Sequence, residues 1–122
     1  MRHTTPHDHA IAHAAQFHDL QLRRGMLPNQ RRVLYHCTPV SRVPSILERG
    51  LLVAYSAGAL PVVWLCTPGM IDWSRRHVEA RHGVTAVAVF RVEISRQRVV
   101  RYSFGQWFSR SNIGPDVITV WS

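Results

Sequence analysis

The stretch VLYHCTPVSRVPSILERGLL, residues 33–52, limits what this chain can fold into more than any other segment. Residues 33–37 have the β-branched and aromatic content of a buried strand. Thr38-Pro39 ends it, Ser41 is placed to cap a helix, and Pro44 is tolerated in a first helical turn. Val43, Ile46 and Leu47 form the apolar stripe of that helix. Gly50 then supplies the left-handed residue past its end, with Leu51 folding back onto Ile46 in a Schellman closure. The unit is strand, tight turn, short helix, glycine stop. One residue does not suit a purely structural strand. His36 stands where a valine or isoleucine would serve a core. It is either a hydrogen-bonded core histidine or the mark of a strand that lines a cleft. Alternation puts it on the face of Leu34, across from Tyr35 and Cys37.

The rest of the chain supports one domain. Residues 1–9 are polar and histidine-rich. From Asp8 to Arg24 the apolar spacing predicts a helix, with Gly25 as its stop. PVVWLCT reads as a strand, and GMIDWSRRHVEARHG as a helix capped by Asp72 and stopped by Gly83. TAVAVFRVEI, VVRYSF and DVITVW bring the total to about five strands. Helices do not separate the later strands, which favours an α+β domain over a doubly wound sheet. The expected organisation is a polar tail and helix over 1–30, followed by one domain over 31–122. A chain of 122 residues supports a single modest core.

All 15 basic residues are arginine, against 7 acids, for a formal charge of +8. Arginine suits bidentate recognition of phosphate, so a nucleotide or nucleic-acid partner is expected; solvated charges on an arginine-rich chain are the alternative. Cys37 and Cys66 fall in apolar runs and read as buried free thiols, too few for a zinc framework. His9 and His13 have the i, i+4 spacing of a zinc pair, but nothing beside them completes a closed site, so no metal is expected. No apolar run approaches the ~18 residues of a membrane span, and the N-terminus lacks a signal-peptide core. The expectation is therefore a cytoplasmic protein.

The segments LYHCT…SILERGL and VVWLCT together resemble the core of the ADP-ribosyltransferase superfamily, in its histidine-bearing branch. That branch includes poly-ADP-ribose polymerases, diphtheria-type and DarT toxins, and RNA 2′-phosphotransferases. The resemblance spans roughly residues 33–94. It implies split β-sheets carrying an N-terminal helix and two short helices, with NAD as substrate. By position, His36 stands where the family histidine contacts the nicotinamide ribose. Cys37 replaces the glycine whose backbone holds the nicotinamide amide. Thr38 matches the small hydroxyl residue, and Trp64 the aromatic that packs on the nicotinamide. Asp116 is the best match to a glutamate that opens a late strand and steadies the ribose-centred cation. Arg42, near the start of the helix, would face a phosphate.

Each position also has a structural alternative. Trp64 fits a core aromatic, Asp116 a turn cap after Gly-Pro, and Arg42 a solvated charge. Trp73, His77 and Arg81 on the second helix either wall the pocket or face solvent. The resemblance implies transfer of ADP-ribose from NAD to nucleic acid, protein or a small molecule, with an antitoxin or other protein partner by analogy. RNA 2′-phosphotransferase chemistry and a non-catalytic NAD- or nucleic-acid-binding module are the alternatives. In every case the face carrying His36 is expected to line a cleft between two small sheets, with Trp64 beside it.

Overall fold

The computed structural model describes residues 10–16, 30–56 and 61–122. In chain order these form helix α1 (10–16), strand β1 (Arg31–Pro39), helix α2 (Val43–Arg49), strand β2 (Val63–Cys66), helix α3 (Ile71–His82) and strands β3 (Val87–Ser95), β4 (Val99–Ser103), β5 (Gln106–Ser109) and β6 (Ile118–Val120). The remainder of the helix expected over Asp8–Arg24 lies outside the described residues, as does His9. No described helix is long and apolar enough to cross a membrane.

The domain is α+β, built on one six-stranded antiparallel sheet in the order β4-β5-β2-β1-β3-β6. Six strands replace the expected five, because SFGQWFS turns at Phe104-Gly105 and returns as β5. The pairing is very uneven. β1 and β3 pair along their full lengths, from Arg31↔Ser95 to Pro39↔Val87. β1 and β2 share the single pair Tyr35↔Cys66. The sheet is therefore continuous but nearly divided, with β4-β5-β2 on one side of a seam and β1-β3-β6 on the other.

Chain length forces the two halves to fold together. Ser95 and Val99 are four residues apart, so their Cα atoms are separated by at most ~15 Å. In a flat sheet of this order, β3 and β4 would lie four strand spacings apart, about 19 Å. The halves must curl about the seam and enclose one face between them. The main core matches that geometry: Leu34, Phe90, Val92 and Ile94 from one half pack with Val63, Leu65 and Val99 from the other, and Ile46 of α2 closes the side. On the outer face, Ile11 and Ala15 of α1 cover Val62, Val100 and Phe108. Ile71 of α3 covers Cys66 and Val89, with Tyr35 and Cys37 packed alongside.

The helix ends follow backbone geometry more than side-chain caps. Ser41 lies inside a 3-10 turn (Val40–Arg42), and Arg42 occupies the cap position of α2 with no side-chain cap bond. Met70, not Asp72, precedes α3; Asp72 sits in its first turn, where a carboxylate favours the helix dipole. The glycine stops are where the sequence puts them. Gly50 has φ 84° and donates to Ile46 O at 2.8 Å, but its ψ of −165° is outside the left-handed helical region and the Leu51 N–H goes to Ile113 O, so a bridge to Ile113 replaces the expected Schellman closure. Gly83 ends α3 in the left-handed region at φ 63°.

Candidate functional site at the sheet seam

The site begins with the alternation of β1. The Val40 N–H bonds Ala86 O at 3.2 Å, which makes residues of that parity, His36 and Thr38 among them, direct their main-chain groups at β3. Tyr35, Cys37 and Pro39 consequently direct theirs at β2. Tyr35 finds its partner in Cys66, and there the ladder stops. The next acceptor along β2 is Trp64 O, and it is occupied by the His36 side chain, Nδ1 to carbonyl at 2.7 Å. The imidazole is wedged between the strands in place of a ladder bond. Beyond it, Cys37 directs its main-chain N–H and C=O to the β2 side, where no ladder pair follows Tyr35↔Cys66.

This contact fixes the chemistry of His36. A carbonyl only accepts, so Nδ1 carries the proton and Nε2 presents its lone pair. Burial pushes the imidazole pKa below its ordinary 6.5; the Trp64 carbonyl pulls it back up, and the Arg42 charge pushes it down again. Burial dominates, so the ring is neutral near pH 7 and Nε2 is a hydrogen-bond acceptor. His36 is half-buried, directly across from the fully buried Phe90, in the same sheet row. Through Nδ1 it is a satisfied strand histidine, with Nε2 left as an acceptor.

The other sequence-predicted residues divide. Thr38 is 2% exposed, in the His36 row. Cys37 lies across the strand, its thiol 3.9 Å from Ile71 O; contact with the neighbouring Cys66 thiol, and then burial, push its pKa well up. Arg42 stands at the start of α2, its guanidinium 5.8 Å from the centre of the Tyr55 ring. Its charge acts on His36 and also on His82, which burial first and then Arg42, Arg81 and His77 hold below the usual imidazole range. Trp73 stacks on His77 at 5.1 Å with its ring 44% exposed.

Trp64 reaches His36 through its carbonyl and not through its ring. The indole sits on the α1 side of the sheet, edge-on to Tyr102 at 5.3 Å and Phe108 at 5.7 Å. Its row along β2 contains Cys66, whereas His36 belongs to the row of Leu34 on the opposite face.

Asp116 is not brought to the seam. It lies in an exposed 3-10 turn (Pro115–Val117) before β6, the edge strand beyond β3. The β6 residue in line with His36 and Phe90 is Val120, four positions further on. Asp116 is thus on the order of 10 Å along the sheet from that row and two strand spacings across, a further ~10 Å. Its carboxylate folds back over its own turn, where a Cβ on Gly114 would meet Oδ1 at 2.7 Å. The turn has no side-chain cap hydrogen bond, so the cap role is not made either.

The late strand that adjoins β2 is β5, and it opens with Gln106, in register with Cys66 and hence in line with Tyr35. The sequence pattern hides it, because β4 and β5 run together as one aromatic-rich stretch. The available signal is Gly105 between two aromatic runs, a hairpin signature.

Comparison with protein-family models returns no match, and no curated protein is similar at a significant level.

Proposed function

We propose that the chain binds NAD in the seam between β1 and β2 and transfers ADP-ribose to an acceptor nucleophile. The observation that carries this assignment is the ladder that stops short of Cys37: its main-chain donor and acceptor turn toward β2 with no pair formed there, and a neutral histidine lies beside them. A carboxamide has one donor face and one acceptor face, and it would replace the missing ladder partner. His36 Nε2 would accept from a ribose hydroxyl, while Arg42 at the start of α2 would take the pyrophosphate in bidentate fashion. The near-division of the sheet also agrees with the split-sheet architecture that the sequence resemblance implies.

In the reaction the bond between ribose C1′ and the pyridinium nitrogen breaks, and nicotinamide leaves with the electron pair. The acceptor's lone pair then bonds to C1′ and its proton passes to solvent. Positive charge develops on the sugar, so a nearby carboxylate accelerates the step. Neither β2 nor β5 carries one. That absence supports a second assignment, a module that binds NAD and turns it over slowly or not at all. Calorimetric titration of the chain with NAD, together with chromatographic detection of released nicotinamide, separates the two. Binding with release supports transfer, and binding without release supports the module. No binding at millimolar NAD overturns both.

A further inference from the structure

The end of the sheet away from the Cys37 opening gathers positive charge around an aromatic ring. Arg32, the second residue of β1, holds its guanidinium 4.1 Å above the centre of the Trp107 ring. Arg101 is the cross-strand partner of Trp107, on the edge strand β4. Arg96 enters from the connection between β3 and β4; its N–H bonds Gln30 O at 2.7 Å and its Nη1 bonds Gln30 Oε1 at 2.8 Å. The three cations are close enough to be felt electrostatically: burial, then Arg96 and Arg101, hold the Arg32 pKa below its ordinary value.

Such a cluster is unfavourable unless something negative answers it. Among the described residues the ion pair present is Arg91–Glu93, and none of these three guanidiniums has a carboxylate partner. Trp107 is a mount that holds Arg32 by a cation–π contact while leaving its N–H fork available. Three residues beyond Arg101, at the tip of the β4–β5 hairpin, Phe104 is 84% exposed. That ring contributes almost nothing to the core. Clustered cations and a bare aromatic at one end of the sheet are the elements of a single-strand nucleic-acid track, in which phosphates meet arginine and bases stack on rings.

We propose that Arg32, Arg96 and Arg101 form a phosphate-binding site for single-stranded nucleic acid, with Phe104 as a stacking platform for its bases. The choice over an acidic protein rests on chemistry: carboxylate side chains would answer the charge but leave the planar ring at the hairpin tip unused. The site is separate from the seam, and its test contains no NAD, so either assignment can fail without the other.

The test is fluorescence anisotropy of a labelled ten-nucleotide single strand, titrated with the full chain from 50 to 200 mM salt. Arg32→Gln with Arg101→Gln should weaken binding at least tenfold and flatten the slope of log K against log salt by about 1.4, at ~0.7 for each phosphate left without its arginine. Phe104→Ala should weaken binding about tenfold and leave that slope unchanged, because stacking releases no counterions. Arg76→Gln, on the exposed surface of α3, should match the parent. Circular dichroism checks each variant for folding; if the double arginine variant is unfolded, Arg96→Gln with Phe104→Ala carries the test. Parental affinity and slope in a folded arginine variant would overturn the proposal. So would equal binding of poly-glutamate, or of a duplex that hides its bases.

Discussion

At the scale of single residues, His36 holds two obligations that one substitution can separate. His36→Ala removes the donor to Trp64 O, but water entering the opened seam can take that carbonyl over. The expected cost to stability is therefore about 1 kcal/mol, at the low end for a lost buried hydrogen bond. NAD affinity should fall at least tenfold in the same variant, since Nε2 has no substitute. Chemical denaturation and calorimetry read the two effects. A fall of about 3 kcal/mol with unchanged affinity would make the residue purely structural. Protonation gives an independent check. The imidazole pKa is lower in the folded chain than its ordinary 6.5, so the unfolded chain binds the proton more readily. The neutral ring's contribution is complete above pH 6.5 and is lost as pH falls below it toward the folded value. The melting temperature should drop between pH 7 and pH 5, and His36→Ala should flatten part of that drop. His82 shifts in the same direction and supplies the remainder.

At the scale of elements, two glycines with similar sequence roles have different surroundings. Both end helices at positive φ, where an alanine costs about 1–2 kcal/mol. A Cβ at Gly83 meets nothing within 4 Å, so Gly83→Ala should cost that amount and no more. At Gly50 the same atom would lie 2.0 Å from Ile113 O, a main-chain atom fixed by the Leu51–Ile113 bridge. Gly50→Ala should lose more than about 3 kcal/mol, read from urea midpoints at constant slope. The opening position of β5 is a second element-scale test. Gln106→Glu would put a carboxylate on the strand beside β2, in line with Tyr35 and Cys66. That row lies on the face opposite His36, so this variant should release nicotinamide from NAD no faster than the parent, and a tenfold increase would place the reacting ribose on the Tyr35 face. Asp116→Asn, remote from the seam, should leave that rate unchanged.

At the scale of the whole molecule, charge and topology act together. A formal charge of +8 on 122 residues opposes compaction. Raising salt from 20 to 200 mM shortens the Debye length from roughly 20 Å to under 8 Å. The melting temperature should rise by a few degrees over that range, and the arginine cluster at Trp107 should account for part of the gain. Local pattern determined a good deal of this molecule. The strand–turn–helix unit, the stops at Gly50 and Gly83, the α+β class and the face that His36 shares with Leu34 all follow from period, turn chemistry and backbone sterics, which depend on neighbours in the chain. Other features depended on which strands meet. Gln106 is hidden in the sequence, because a tight hairpin between aromatic runs has the same composition as one long strand. Asp116 looks like a strand-opening carboxylate, yet β6 pairs with β3 and carries it to the far edge. Trp64 alternates correctly along its own strand, but the handing of its ring to α1 and its carbonyl to His36 was decided by the β1–β2 register. A side chain's face is set by its own strand; its neighbours across the sheet are set by pairing between segments tens of residues apart, which no local pattern encodes.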